Sequence, residues 1–162
     1  MGADRTRRKL LKYALQGEHK KVKDILKRKK DADVNCTDTE GCTPLHLAAM
    51  EGSVKVAGLL IEWGADLYAV DSRGNTPAHH AALRAVRKPE VFKLLRMAHA
   101  DMTMKNALGQ TPLDLQASAE TQALHERDER MHHMNLRREE QEAEMDPDEA
   151  WYQKLQEEMM GE

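Results

Sequence analysis

Apolar residues occur in short clusters along the first two thirds of the chain, and polar stretches separate the clusters. The clusters are Val22, Ile25 and Leu26, then Val54, Val56, Leu59 and Leu60, then Val91, Phe92, Leu94 and Leu95. Spacings of three and four residues place such side chains on one face of a helix. A single apolar face cannot bury itself, so the pattern predicts several short helices that stack on one another.

Two sequence markers recur in phase with the clusters. The segment Gly-Cys-Thr-Pro-Leu-His-Leu-Ala-Ala at 41–49 returns as Gly-Asn-Thr-Pro-Ala-His-His-Ala-Ala at 74–82, and a shorter copy begins at Gly109. The starts of the copies are 33 and 35 residues apart, and an Ala-Asp pair recurs with the same two intervals. A fixed period of this length indicates a repeat protein.

Each part of the markers has a physical role in a helix pair. Thr-Pro opens a helix, because threonine can cap free backbone N–H groups and proline fits the first turn. The Ala-Ala pair lets neighbouring helices approach. Gly17 and Gly52 predict the end of the first helix of a pair, since glycine takes left-handed dihedrals without steric cost. The polar segments 38–41 and 71–74 predict hairpin turns.

These residues closely resemble the ankyrin-repeat family. The resemblance implies an all-α ankyrin-repeat solenoid, built of helix–turn–helix units with hairpin tips and followed by a charged helical tail. The expected ankyrin-repeat domain is 1–115. Its units are a degenerate N-terminal cap at 10–38, full repeats at 39–71 and 72–106, and a partial unit at 107–115. Residues 84–89 replace the glycine turn, so the loop between the helices there is expected to be longer.

Charge is unevenly distributed around a formal net charge of −3. Residues 1–30 carry twelve Lys or Arg against three acids, whereas 116–162 carry fourteen acids against five Lys or Arg. This imbalance predicts charged partners at both ends, or ends that face each other.

Cys36 and Cys42 suit a reducing compartment and are expected to stay reduced thiols.

The chain beyond the repeats is polar. Residues 116–145 predict a charged linker that is helical or partly disordered. An Asp-Pro pair then predicts the start of a short amphipathic helix over 146–161, which carries Trp151, Tyr152 and Leu155 on one face. This helix is expected either to dock into the groove of a partner or to fold back onto the repeats.

A narrower resemblance rests on the order of these elements. A basic start, a small ankyrin-like set with one longer loop, a final Gly-Gln-Thr-Pro, an acidic stretch and Trp-Tyr-Gln-Lys-Leu-Gln-Glu at 151–157 are similar to the N-terminal half of the NF-kappa-B inhibitor-like protein family. The resemblance implies a nuclear location, with the cytoplasm as an additional one. It also implies a role in dampening innate immune transcription or in messenger-RNA processing.

The ankyrin resemblance further implies which positions contact a partner, namely the hairpin tips and the exposed ends of the first helices. The positions are Thr39, Glu40, Cys42, Met50 and Glu51 in one repeat, Ser72, Arg73, Asn75, Leu83 and Arg84 in the next, and Ala107, Leu108 and Gln110 in the last unit. Met50 and Leu83 are expected to be exposed and to form the apolar centre of the contact. Trp151, Tyr152 and Leu155 are expected to add a second, tethered contact.

The expected function is that of a protein–protein interaction adaptor or inhibitor in nuclear regulation, without enzyme activity. The alternative is a structural component of a nuclear ribonucleoprotein complex of the splicing type, whose tail threads along a neighbour. The basic N-terminus predicts a weak contact with RNA.

No catalytic residue, metal ligand, cofactor, small-molecule substrate or membrane association is predicted, because the sequence has no phosphate loop, nucleophile elbow or zinc-type Cys/His spacing. His46 and His79 are expected to bond backbone groups, and His80 diverges from His79 on a helix and makes a poor metal pair with it.

Overall fold

The computed structural model describes residues 2–28 and 32–144, and the side chains of 4–28 and 32–140. These residues form seven helices and no strands. The helices are α1 (Gly2–Leu15), α2 (His19–Arg28), α3 (Pro44–Glu51), α4 (Val54–Glu62), α5 (Pro77–Arg84), α6 (Pro89–Met97) and α7 (Pro112–Glu144). The chain divides into two compact units after Thr121, and each unit is described by itself.

In the first unit, helices α1 to α6 form three pairs. Helix α1 contacts α2, α3 contacts α4, and α5 contacts α6; in addition α3 contacts both α1 and α5, and α4 contacts both α2 and α6. The first helices and the second helices therefore form two layers. Both layers contribute to the core, whose largest fully buried apolar side chains are Leu10, Val22, Leu45, Val56, Leu60, Val91 and Leu95. This arrangement confirms the predicted all-α stack.

The start of α3 shows why the Thr-Pro-Leu-His segment opens a helix. Nδ1 of His46 accepts the backbone N–H of Thr43 at 3.1 Å. Nε2 of the same ring therefore carries the proton, and it donates to the backbone oxygen of Asn75 in the next hairpin at 2.9 Å. The second full repeat has the same arrangement, in which Nε2 of His79 lies 3.0 Å from the backbone oxygen of Gln110. Each histidine thus caps its own helix and binds the following unit, and the partners are backbone groups, as predicted.

Both imidazoles are completely buried. Burial is the main cause that lowers the pKa of His46 and of His79, so both rings are neutral near pH 7. In the last unit Asp114 occupies the histidine position, and its Oδ2 accepts the backbone N–H of Thr111 at 2.9 Å. The cap therefore survives there, while the bond to a following hairpin is replaced by an exposed carboxylate.

In the first two pairs the first helix ends where the glycines predict. Gly17 follows α1 with a φ of 67°, and Gly52 caps α3 with a φ of 77° and donates its N–H to the backbone oxygens of Ala48 and Ala49. Between α5 and α6 the loop runs from Ala85 to Lys88, four residues instead of two. The longer loop predicted for this repeat is confirmed.

Three hairpins with one backbone pattern precede α3, α5 and α7. Asp38, Asp71 and Asn106 each use Oδ1 to accept two backbone N–H groups of their own turn, at 2.8 to 3.0 Å. Neighbouring hairpins are joined by backbone bonds, from the N–H of Ser72 to the oxygen of Glu40 and, in the next pair, from Ala107 to Arg73. The tips therefore form a hydrogen-bonded row along one edge of the stack.

Helix α7 begins at Pro112, and its opening turns belong to the first unit, where Leu115 is buried in the core. The helix contains no glycine or further proline through Glu144, so nothing ends it at the place where the earlier repeats turn. Residues 116–144 are therefore helical, which is the first of the two predicted alternatives for this stretch.

The described part of the second unit is the helical segment 122–144. Its described side chains, those of 122–140, are exposed except for half-buried Ala123, and a His125–Glu129 contact and a Glu126–Arg130 ion pair lie along it at helical spacing. The predicted helix over 146–161 lies outside the described residues.

Candidate protein-binding surface

The hairpin tips present the exposed part of the predicted contact surface. Thr39, Glu40, Ser72, Arg73 and Ala107 are all exposed. Leu108 occupies the tip position of Glu40 and Arg73, and its side chain is 82% exposed. An exposed apolar side chain in a row of polar tips is a candidate for the centre of a contact patch.

The ends of α3 and α5 present the second row. Leu83 is 54% exposed and lies beside exposed Arg84. Met50 holds the equivalent position on α3, but its side chain is only half-exposed because it packs against the core. Met50 is therefore less exposed than expected, and Leu83 and Leu108 supply more of the exposed apolar area.

Three predicted contact residues lie deeper than expected. Cys42 is buried, because its side chain turns between its own hairpin and that of the next unit. Its assignment to the contact surface is wrong for that reason. Asn75 and Gln110, the equivalent residues in later units, are half-buried, and their backbone oxygens accept the histidine bonds described above.

Sequence reasoning missed a contact between repeats at the longer loop. Nζ of Lys88 donates to the backbone oxygen of Glu51 at 2.7 Å and lies 3.4 Å from its carboxylate. Glu51, predicted as a partner contact, is therefore half-buried by the neighbouring repeat. The two extra loop residues were the available signal, since they extend the loop toward α3.

The predicted tail contacts Trp151, Tyr152 and Leu155 lie outside the described residues. The described contact surface therefore consists of the tips and the ends of α3 and α5. Within it the observed side chains can make apolar contacts and charged hydrogen bonds, while the buried histidines are already satisfied by backbone groups.

A separate basic groove lies between α1 and α2. It has a volume of about 390 Å³, and Arg5, Lys9, Lys21 and Arg28 line it with one acid, Asp24. The basic residues of the N-terminus therefore belong to a folded helix pair and do not form an extended basic peptide.

Comparison with known proteins agrees with this geometry. A family model described as ankyrin repeats in three copies matches residues 10–106. The chain belongs to the ankyrin-repeat family. Ankyrin repeats are protein–protein interaction modules, so a protein partner follows from the fold. The narrower NF-kappa-B inhibitor-like resemblance is not part of this finding.

Several known proteins share one stretch of these repeats. Inversin of Danio rerio is 45% identical over 49 residues, 30% of this chain and 5% of that protein. Palmitoyltransferase akr1 of Schizosaccharomyces pombe is 43% identical over 56 residues, 35% of this chain and 9% of that protein. The 2-5A-dependent ribonuclease of Mus musculus is 40% identical over 57 residues, 35% of this chain and 8% of that protein.

The chain therefore spans less than a tenth of the length of each of these relatives. Two of them are named as enzymes, but the likeness is confined to ankyrin repeats, which are generally non-enzymatic. None of the helices in the described ranges is both long enough and apolar enough to cross a membrane.

Proposed function

We propose that this chain binds another protein through its hairpin tips and the ends of α3 and α5, and that it acts there as an adaptor or inhibitor in nuclear regulation. The observation that supports the surface is the exposure of Leu83 and Leu108 within a polar row. Apolar side chains rimmed by polar ones mark contact sites more often than isolated exposed leucines do. The rigid row of bonded hairpins presents them in a fixed geometry, which lowers the entropic cost of binding.

The paired variant Leu83→Glu and Leu108→Glu tests this surface. The matched control is Trp63→Glu and Met97→Glu, because those side chains are also exposed but lie at the ends of the second helices. Partners captured by the intact chain in cells are compared with those of both variants by quantitative mass spectrometry. The proposal expects the first pair to lose a partner that the control retains, and equal recovery from both variants contradicts it.

The nuclear part of the proposal rests on the similarity to the NF-kappa-B inhibitor-like proteins, and it assigns the chain to transcriptional signalling or messenger-RNA processing. Imaging of the full chain in cells tests it, and an exclusively cytoplasmic distribution contradicts it.

The tail is proposed to add a tethered second contact, which raises the effective concentration of the repeats at the partner. Full partner recovery by a Trp151→Ala and Leu155→Ala variant contradicts that role.

A second candidate function, contact with RNA as a component of a nuclear ribonucleoprotein complex, is supported by the basic groove between α1 and α2. Four cationic side chains and one acid line this groove. Phosphate contacts release counterions, so RNA affinity should fall steeply as salt rises. Titration of the full chain with single-stranded RNA at several salt concentrations tests this, with a Lys9→Glu and Arg28→Glu variant as the comparison. A flat salt dependence contradicts phosphate contact.

A further inference from the structure

The second full repeat has a polar residue at a position where the other two copies have a buried apolar one. The other two copies have leucine there, Leu47 and Leu115, and both are buried in the core. The second copy has His80 instead, with a side chain that is 15% exposed. Stacking requires only an apolar side chain at this position, so the imidazole needs a separate explanation.

His80 faces a carboxylate that the hairpin holds in place. Its Nε2 lies 2.8 Å from Oδ2 of Asp71, whose side chain is only 5% exposed. Oδ1 of Asp71 accepts the backbone N–H groups of Arg73 and Asn75 at 2.9 and 2.8 Å, which fixes the carboxylate and directs Oδ2 toward the ring. The ring of His46 packs edge-on against the other side, with centroids 5.7 Å apart.

The preceding repeat contributes a third group to the same place. Sγ of Cys42, an oxygen of Asp71 and a ring nitrogen of His80 all lie within 4.8 Å of one another. The thiol is buried and lies near the carboxylates of Asp38, Asp71 and Glu40. Burial and these negative charges together raise the pKa of Cys42 to about 11. A cation at this point would face a thiol, an imidazole and a carboxylate of two successive repeats, with a net excess of acidic groups nearby.

We propose that Cys42, Asp71 and His80 bind one zinc-type divalent cation between the two full repeats. The three donors are sulfur, nitrogen and oxygen, each an accepted Zn²⁺ ligand, and a water molecule would take the fourth tetrahedral position. The thiolate and imidazole disfavour Mg²⁺ and Ca²⁺, which select oxygen ligands.

The spacing of the donors fits such a site after their side chains adjust. Zn–N and Zn–O distances of about 2.0 to 2.1 Å in a tetrahedron place the nitrogen and oxygen donors roughly 3.3 Å apart. Nε2 of His80 and Oδ2 of Asp71 now lie 2.8 Å apart. The cation therefore takes the place of the hydrogen between these atoms, and the side chains separate by about 0.5 Å, which a small rotation of the His80 ring can supply. A zinc–sulfur distance of about 2.3 Å in a tetrahedron places the sulfur roughly 3.6 Å from the other two donors, so a bound cation would draw Sγ of Cys42 inward from a separation that is now up to 4.8 Å.

Binding is balanced by the release of one proton. The Cys42 S–H bond breaks, its electron pair forms the sulfur–metal bond, and the proton passes to the buffer. His80 binds through the Nε2 lone pair, so the hydrogen that Nε2 donates to Asp71 moves to Nδ1 of the same ring and is not released. Asp71 is already a carboxylate, since the backbone bonds and His80 hold its pKa below the ordinary value despite the opposing effect of burial. Affinity for the cation should therefore rise with pH.

Such a site would act as a cross-link between repeats. A cation that binds only the folded stack stabilises it by mass action. The contribution matters for a stack of three helix pairs, in which each interface carries a large share of the stability. This role is independent of the proposed partner surface, because the exposed tips do not contain the three ligands.

The test uses the full chain, treated with a chelator, kept reduced with a phosphine and titrated with Co²⁺ and then Zn²⁺. The proposal expects one Co²⁺ per chain, a thiolate-to-cobalt charge-transfer band, tetrahedral visible bands, and displacement of cobalt by one equivalent of Zn²⁺. Cys42→Ser should abolish the charge-transfer band, and His80→Leu should weaken Zn²⁺ binding at least tenfold. The latter variant restores the leucine of the other repeats, so it is expected to stay folded.

Matched controls are Cys36→Ser, which removes the other buried thiol, and His132→Ala, which removes an exposed histidine of α7. Both should keep the cobalt spectrum of the unaltered chain. A missing charge-transfer band in the unaltered chain, or a band that survives Cys42→Ser, overturns the proposal and leaves an Asp71–His80 hydrogen bond only. Equal Zn²⁺ affinity of the unaltered chain and of folded His80→Leu also overturns it.

Discussion

Replacement of His46 by leucine isolates the hydrogen bonds that join one repeat to the next. Leucine fills a similar volume, so the change leaves little cavity. It removes the acceptor of the buried Thr43 N–H and the donor to the Asn75 backbone oxygen. That oxygen keeps a second bond, from the N–H of Asp71 at 3.0 Å, so it loses only part of its pairing.

An unpaired buried N–H costs about 1 to 3 kcal/mol, and one lost net hydrogen bond costs about 0.5 to 1.5 kcal/mol, so the expected destabilisation is about 3 kcal/mol. The first unit should have a total stability on the order of 6 to 18 kcal/mol, so the variant remains folded. With a urea m-value of about 2 kcal/mol per molar, the unfolding midpoint should fall by about 1.5 M.

The assay is urea unfolding followed by far-ultraviolet circular dichroism, with chelator present in every sample so that bound metal does not contribute. The exposed His132→Ala variant is the control and should change stability by no more than about 0.5 kcal/mol. A His46→Leu midpoint within about 0.3 M of the unaltered chain, given the same m-value, would refute the view that these histidines hold successive repeats together.

Three further changes test other parts of the fold. Gly74→Ala should destabilise the fold more than Gly109→Ala does. Both glycines have a φ of 73°, so the backbone strain is the same. A Cβ on Gly74 would lie 3.0 Å from a backbone nitrogen of the next hairpin, whereas a Cβ on Gly109 would meet nothing within 4 Å. Equal midpoints in urea would contradict that close approach. Leu60→Ala should cost about 2 to 5 kcal/mol through loss of a fully buried side chain, whereas Leu124→Ala on exposed α7 should cost little. In a Cys42→Ser variant, alkylation of Cys36 at pH 8 should be about 100-fold slower in the folded than in the unfolded chain, because burial raises the pKa of Cys36 from 9.0 to about 11. Equal alkylation rates would show that the thiol is not held in a low-dielectric site.

The local structure of the repeats could be predicted from sequence because it depends on residues close in the chain. Thr43 and Pro44 determine the start of α3 within one turn, and Gly52 ends it. The hairpins follow from Asp38 and Asp71, whose side chains bond their own turn. These signals recur with the period of the repeat, which made the stacked architecture predictable as well.

Contacts between repeats could not be predicted in the same way, because they join residues about 30 to 40 positions apart whose side chains no local rule aligns. The burial of Cys42 and the bond from Lys88 to Glu51 both depend on how closely one unit approaches the next. The pairing of His80 with Asp71 joins residues nine positions apart, and it depends on how the hairpin turns the Asp71 carboxylate toward α5, which the helical spacing alone does not determine. The length of α7 could not be predicted because its polar sequence lacks both a strong apolar face and a stop signal.

The central claim, that the row of tips and the ends of α3 and α5 bind a protein, is tested most directly by site-specific photo-crosslinking in cells. A photoreactive side chain is placed singly at Leu83, Leu108, Trp63 or Met97 in the full chain, and crosslinked proteins are quantified at each position. Our account predicts that the first two positions crosslink one common protein and that the other two do not. Crosslinking of that protein only from Trp63 and Met97 would contradict it.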